Sequence, residues 1–264
     1  MKPVIEFKNI KVKYNYESDY KALDLDELII KHDENVAIIG PNGAGKSSLI
    51  NLISRDIYPE PEDNVVCRIY GEDRWDVFEL RSHLGIVSPN YQQKVGVETT
   101  VLDTVLSGYF SSIGIIEEDE VTVSMREKAI NALDFFGISE LADRLMTELS
   151  TGQSRLVLIA RALIHDPESL LLDEPASGLD IKAAHLFRQN LLKLADHGTN
   201  IIVVTHNFED IISCISRVII LKNGRIFMDG KCDDIITDEN MSELYSAKIQ
   251  VKKRMTGYIA ELSD

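Results

Sequence analysis

The nine residues "GPNGAGKSS", Gly40 to Ser48, constrain this chain more than any other stretch. They fit G-x-x-x-x-G-K-[ST] at Gly40, Gly45, Lys46 and Ser47. That spacing lets main-chain N–H groups converge on phosphate oxygens at the start of a helix. The surroundings agree with the pattern. "NVAIIG", Asn35 to Gly40, is a short apolar β-branched run of strand type, and Lys46 to Arg55 has helical spacing. A chain built around such a strand, turn and helix is expected to fold as α/β. Pro41, Asn42, Gly43, Ala44 and Ser48 complete the loop and its exit, so the whole segment is expected around a nucleotide. Lys46 is expected at the β- and γ-phosphates, and the hydroxyl of Ser47 at Mg²⁺. A glycine-rich turn without a ligand is the plain structural alternative.

The rest of the chain supplies the alternation. "NVVCRIYG" (Asn64 to Gly71), "LGIVS" (Leu84 to Ser88), "SLLLDE" (Ser169 to Glu174) and "NIIVVTH" (Asn200 to His206) are candidate strands. Near-continuous apolar runs suit parallel strands covered on both faces, and a helical pattern at Ile181 to Ala195 follows "SLLLDE". "EFKNIKVKY" and "RVIILKNGRIFMDG" instead suggest antiparallel edges, the latter turning at Asn223-Gly224 as a type I′ hairpin. From Thr99 to Ile164 helical spacing takes over in "TVLDTVLSGYF", "SMREKAINALDFFGI" and "SRLVLIARALI". This predicts a helical insertion of about residues 99–164 within one domain of residues 1–250, followed by a short tail at 251–264. The C-terminal "DENMSELYSAKIQVKKRMTGYIAELSD" has a helical look; "PEPED" (Pro59 to Asp63) and "IIEEDEV" (Ile115 to Val121) look like exposed loops.

Two further elements carry chemistry. "SLLLDEP" delivers Asp173 to the C-terminal end of a buried strand, where open α/β sheets place their ligands. Asp173 is expected to hold Mg²⁺, and Glu174 to polarise the attacking water. "VVTH" ends another strand with His206, a candidate contact for the γ-phosphate, although a lone histidine at a strand end is more often structural. Composition narrows the class. With 264 residues, 44% hydrophobic and 27% charged, the chain has the balance of a soluble globular protein. No run of eighteen apolar residues exists, and the opening "MKPVIEFKNIKVKY" alternates as a strand does rather than as a signal peptide. Cys67, Cys214 and Cys232 lack metal or redox spacing, as expected in a reducing cytosol. A net charge of −15, from 43 acids and 28 bases, disfavours broad binding to nucleic acid or anionic lipid, and Lys252 to Arg254 is the one dense basic run.

"LSTGQSRLVLIARAL", Leu149 to Leu163, then poses a question. Ser150 stands at a helix N-cap position and Gly152 where backbone can approach an anion, so this is a second anion-facing helix start. One cradle already covers the phosphates. The economical answer is that two chains pair head to tail about a two-fold axis, each offering this helix to the other's nucleotide.

With that answer the chain resembles the ATP-binding cassette (ABC) ATPases over roughly residues 3 to 250. "LSTGQ" is similar to the family signature LSGGQ, departing at Thr151. "ASGLD", Ala176 to Asp180, matches the loop that communicates across the dimer, and His206 matches the switch histidine. Tyr14 matches the aromatic that stacks on adenine, with Tyr16 as second candidate and a strand-surface tyrosine as the structural alternative. The resemblance implies a P-loop NTPase (RecA-like) α/β core with a mostly parallel sheet, an antiparallel β edge subdomain and an inserted α-helical subdomain. It implies ATP and Mg²⁺ as ligands, Lys46, Glu174 and His206 as catalytic groups, and Ser150, Gly152, Gln153 and Asp180 at nucleotide. Its partners would be a second copy or a similar cassette, and a membrane permease that holds it on the inner face of the cell membrane. A soluble ABC ATPase acting on nucleic acid or ribosomes is the alternative, and the acidity weighs against it. The family glutamine after "LGIV" is missing: Pro89 lies near that place, with Gln92 and Gln93 beyond, and Gln92 is the candidate metal contact. "VLSGYFSSIGI", Val105 to Ile115, resembles more narrowly the molybdate-operon and photorepair ABC ATPases, which carry two cassettes per chain.

Overall fold

Apolar residues recur with a period of two in each half of the first strand, the phase shifting at Asn9, whose φ is 53°, and their burial shows what that periodicity does. Ile5, Phe7, Ile10 and Val12 are buried while the residues between them are not. The computed structural model describes residues 2–14, 21–88, 99–110, 121–254 and 256–263. Its strands are β1 (Ile5–Val12), β2 (Leu23–Ile30), β3 (Val36–Ile39), β4 (Val66–Ile69), β5 (Leu84–Val87), β6 (Ser169–Asp173), β7 (Asn200–Thr205), β8 (Arg217–Lys222), β9 (Arg225–Lys231), β10 (Ile249–Arg254) and β11 (Gly257–Leu262). Its helices are α1 (Lys46–Ile53), α2 (Val77–His83), α3 (Val101–Leu106), α4 (Val123–Phe135), α5 (Thr151–Ala162), α6 (Ile181–Asp196), α7 (Cys232–Ile235) and α8 (Asp238–Tyr245). Two compact units divide the chain, one of Met1–Val77 with Asn200–Asp264, the other of Phe78–Thr199.

In the first unit β1 pairs antiparallel with both β2 and β4, giving the order β2-β1-β4. A second run of strands, β7-β3-β8-β9, is parallel across β7, β3 and β8 and antiparallel at β8–β9. β3 and β7 are buried along their whole length, as unbroken apolar runs require in a sheet covered on both faces. The turn between β8 and β9 has positive φ at both central residues, 52° at Asn223 and 77° at Gly224, the type I′ geometry that Asn-Gly predicts. In the second unit β5 and β6 pair in parallel, and α3, α4 and α5 lie within the segment expected to be helical.

Three expectations need correction. "NVVCRIYG" does not join the parallel strands. Its strand β4 lines the edge of β1, with only Ile69 of its four residues buried, so its apolar run is a half-covered edge. The helix read through "TVLDTVLSGYF" stops at Leu106. There Gly108 lies so close to α5 that a Cβ would fall 2.6 Å from the Arg161 carbonyl oxygen, and the Ser107 hydroxyl accepts from Arg161 Nε at 2.9 Å. This packing gives "VLSG" its small residues. Finally, the helical look of the C-terminus holds for α8 and fails after it, because β10 and β11 form an antiparallel hairpin. Half-buried Ile249 and Val251 alternate with exposed Gln250 and Lys252, a period of two that the basic run obscures. Of the expected loops, Ile115 to Glu120 lie outside the described residues.

The hairpin is tied down by charge. Asp233 on α7 accepts from Lys253 Nζ at 2.5 and 2.7 Å and from the Tyr258 hydroxyl at 2.5 Å. Lys253 first, then Tyr258, holds the Asp233 carboxyl below its ordinary value of 3.8. A carboxyl with a depressed folded value contributes stability that is complete above that ordinary value and fades as pH falls below it. Amide exchange in Gly257–Leu262 is therefore expected to quicken as pH drops through and below 3.8, relative to the intrinsic rate, and Asp233→Asn is expected to remove that dependence. An identical pH response in parent and variant would show that the hairpin is held by something else.

Candidate nucleotide site

In the first unit β3 brings the glycine-rich loop to a fixed place. Ile39 sits opposite Thr205 of β7 and Ile220 of β8, so Gly40 and His206 leave adjacent parallel strands at the same end. The loop is pressed tightly against its surroundings. At Gly40 a Cβ would run into the Leu221 carbonyl oxygen, and at Gly45, with φ of 105°, it would fall 2.7 Å from the Ala22 carbonyl oxygen. Only glycine combines that φ with that approach. The β8–β9 turn backs the loop, since Gly224 N–H donates to Ala44 O at 2.9 Å and Gly224 O accepts from Asp24 N–H at 2.8 Å.

The donors of this loop suit an anion. Lys46 is buried and its Nζ donates to the carbonyls of Gly40 at 2.6 Å and Pro41 at 3.2 Å, so the ammonium is folded over the loop. Helix α1 has no side-chain cap at Gly45. Among the described residues the N–H groups of Gly43, Gly45 and Ser47 make no hydrogen bond within the protein. Orphan N–H groups at a helix start carry about half a positive charge between them, which phosphate oxygens satisfy. Pro41 and Asn42 form the loop tip, Ser47 is exposed, and buried Ser48 accepts from the exposed Tyr14 hydroxyl at 3.2 Å. His206 is exposed too. The turn that presents it is locked by Thr205 Oγ1 donating to Asp210 at 3.0 Å and accepting from Asn207 N–H at 3.0 Å.

In the second unit β6 runs buried from Ser169 to Leu172 and ends at half-buried Asp173. Glu174 follows in a left-handed conformation, φ 47°. That conformation costs a non-glycine residue roughly 1–2 kcal/mol and persists only where neighbours enforce it. The enforcing contacts are visible: Glu174 O accepts from Ser177 N–H at 3.1 Å and from Arg155 Nη1 at 3.2 Å, and Arg155 Nη2 reaches Ser177 O at 3.3 Å. Asp180 caps α6 by accepting from Ala183 N–H at 2.8 Å. Ser150 caps α5, with Gln153 answering it: Gln153 N–H donates to Ser150 Oγ at 3.3 Å, and Gln153 Oε1 accepts from Ser150 N–H at 3.0 Å. Gly152 lets this helix start close on α6, where a Cβ would stand 3.2 Å from Ala183 Cβ. Thr151 is exposed.

The structure thus gathers Tyr14, Gly40 to Ser48 and His206 in one unit, and Ser150, Gly152, Gln153, Asp173, Glu174 and Asp180 in the other. Gln92, with Tyr16, Pro89 and Gln93, lies outside the described residues. Arg155 was not anticipated. Its signal is a cation on the face of α5 that also carries Leu158 and Ile159, three and four residues on, into the core.

The family model for ABC transporters matches residues 23–177. This chain belongs to the ABC transporter family. Its relatives are ATP-binding proteins of such transporters. YlmA of Bacillus subtilis (strain 168), an uncharacterised ABC transporter ATP-binding protein, is 33% identical over 94% of this chain and 93% of its own length. ModF of Escherichia coli (strain K12) is 38% identical over 81% of this chain and 44% of its own. Among solved structures, the ABC transporter cassette MJ1267 in its ADP conformation superposes with a TM-score of 0.77 at 27% identity, covering 93% of this chain and 99% of that one. The fold of this ABC protein is accordingly that of the P-loop ATPase cassettes. No helix among the described residues is long and apolar enough to cross a membrane.

In this cassette Gly45 is held to glycine by its φ and by the approach of the Ala22 carbonyl oxygen together. Gly45→Ala is expected to destabilise the protein by roughly 1–3 kcal/mol, from the left-handed φ alone, and to weaken labelled-ATP binding at least about tenfold. Thermal melts and fluorescence titration check both; parental values would show that the loop relaxes freely.

Proposed function

We propose that this chain is the ATP-binding and ATP-hydrolysing subunit of an ABC transporter, a single domain over residues 1–250 with an α-helical subdomain at about 99–164 and a short tail at 251–264. It dimerises head to tail on binding ATP, with itself or a similar cassette, and drives a membrane permease from the inner face of the membrane. The observation that carries this reading is the uncapped start of α1 behind a loop that only glycine permits at Gly45.

In this mechanism the loop N–H groups and Lys46 bind the phosphates, and the Tyr14 ring stacks on adenine. Ser47 and Asp173 offer hard oxygen donors that would hold Mg²⁺, with Gln92 as a further contact; when bound, the ion would supply charge neutralisation at the phosphates. Glu174 accepts a hydrogen bond from the attacking water and orients it, while His206 contacts the γ-phosphate. Ser150, Gly152, Gln153 and Asp180 face the nucleotide of the second chain. The segment Val87 to Thr99, with Tyr91 and Val95, offers the permease an apolar contact. Support for the dimer comes from a bacterial ABC transporter cassette of 30% identity solved as a dimer, TM-score 0.71. Support for transport comes from relatives such as LivG of Methanocaldococcus jannaschii, named as a probable branched-chain amino acid transport ATP-binding protein, 30% identical over 87% of this chain.

Glu174→Gln keeps shape but removes the carboxylate, so turnover is expected to fall on the order of 10²-fold with ATP binding retained. Parental turnover would remove Glu174 from the mechanism. The same variant is expected to run as a dimer with Mg·ATP and as a monomer without it by light scattering. Adding Ser150→Arg is expected to abolish that dimer while leaving labelled-ATP binding within about threefold. Captured from cells, Glu174→Gln is expected to bring a polytopic membrane protein; ribosomes or nucleic acid in its place would favour the soluble alternative.

A further inference from the structure

Arg155 is 4% exposed, yet it does not close a local ion pair on its own helix: its guanidinium leaves α5 and holds two carbonyls of the segment that follows β6. One of those carbonyls belongs to Glu174, whose left-handed φ of 47° lies immediately before Pro175, a residue that further restricts the conformation ahead of it. The Glu174 carbonyl also closes the turn to Ser177 N–H, and Ser177 supplies the second carbonyl bound by Arg155. A fork of two charge-assisted donors thus grips both ends of the turn on which the Glu174 side chain is mounted. The same arginine stands one helical turn beyond Ser150 and Gly152, on a helix whose start is packed against Ala183 at the head of α6.

We propose that Arg155 is a positioning residue that fixes the main chain of Glu174 and couples the aim of its carboxylate to the helix beginning at Ser150. This rests on the proposed roles of Glu174 as water-orienting base and of Ser150 as a contact to the second chain's nucleotide. On those roles, Arg155 links within one chain the group that serves its own nucleotide to the helix that meets the partner's. A displacement of the α5 start is passed to the Glu174 peptide through a rigid planar guanidinium, and lysine, with a single ammonium, cannot hold both carbonyls in that geometry.

The test compares full-length parent, Glu174→Gln, Arg155→Met, Arg155→Lys and the double variant Glu174→Gln/Arg155→Met. Steady-state Mg·ATP turnover is measured beside labelled-ATP titration. Arg155→Met is expected to lower kcat about 10- to 100-fold while labelled-ATP affinity stays within about threefold. Arg155→Lys is expected to recover part of that loss. In the Glu174→Gln background the Met substitution is expected to cost less than about twofold further, because no carboxylate remains to be aimed. An arginine that merely supports the fold would weaken binding as well and would lower turnover by the same factor in both backgrounds. That result overturns the proposal, as does an Arg155→Met kcat within about twofold of the parent. Parental turnover by Glu174→Gln would instead defeat the reading of Glu174 itself, and this inference with it, so the two failures are told apart. Should Arg155→Met not fold, Arg155→Lys decides through hydrogen exchange: the Ser177 N–H, bonded to Glu174 O, is expected to exchange at least about fivefold faster while β3 and β6 amides are unchanged. Unchanged exchange there with parental kcat overturns the proposal.

Discussion

The loop of Gly40 to Ser48 is placed by the register of β3, and that register is pinned at the opposite end of the strand. Asn35, at the entry to β3, accepts from Ile201 N–H of β7 at 2.7 Å and donates to Cys214 O ahead of β8 at 3.2 Å. Asn200 returns a bond from β7 to Glu34 O, and Ser216 N–H donates to Asn35 O at 3.2 Å. One short polar residue thus ties three neighbouring chain segments before the apolar run begins. A slip of one residue would move the loop by about 3.3 Å and turn every side chain of the strand to the other face. It would also orphan the Asn35 amide in a half-buried position, at roughly 1–3 kcal/mol. The four aliphatic residues that follow are buried on both faces, which makes the strand unmovable sideways but does not by itself choose its axial position. The polar clamp makes that choice.

From that fixed point the loop is held by main chain more than by side chains. Gly40 lies against Leu221 O, Gly45 against Ala22 O, and Gly224 N–H bonds Ala44 O. The tip of the β8–β9 hairpin is therefore part of the scaffold of the phosphate loop, although it comes almost two hundred residues later. Arg225 beside that tip pairs with Asp24, whose N–H bonds Gly224 O, so β2, the hairpin and the loop close into one hydrogen-bonded ring. Such an arrangement leaves the N–H groups of the loop facing outward because their carbonyl neighbours are already engaged behind them.

Much of this was legible before any coordinates. The strands at Val36–Ile39, Leu84–Val87, Ser169–Asp173 and Asn200–Thr205 follow from unbroken apolar runs, and the turn at Asn223-Gly224 from its dipeptide. The motif residues declare themselves because phosphate chemistry demands fixed spacing. What stayed hidden has a physical pattern. β4 looks as apolar as the central strands, and only its antiparallel pairing with β1 shows that it is a half-covered edge. The β10–β11 hairpin alternates weakly, since Lys252, Lys253 and Arg254 mask its period of two. The roles of Arg155 and of the Asn35 clamp are long-range: each joins segments that sequence spacing does not relate, and a polar letter within a buried helix or at a strand entry carries no partner's address.

The two helix starts offered for anions also differ in a way that bears on how a pair of chains would close. At α1 no side chain caps the helix, so phosphate oxygens can be accepted without displacing a cap from the N–H groups of Gly43, Gly45 and Ser47. At α5 the donors are partly spent: Ser150 and Gln153 satisfy one another through both side chains and both N–H groups. Loss of such a cap costs a helix about 1 kcal/mol. On the proposed reading, a nucleotide already seated on one chain must exchange that internal bonding for its own when it meets Ser150 of the other. The first contact is therefore downhill from the free chain, while the second carries a toll that only a correctly placed γ-phosphate, with its additional charge, offsets. Binding to a single chain and closure of two are separated by this asymmetry, and the separation is written in the capping of two helices within one sequence.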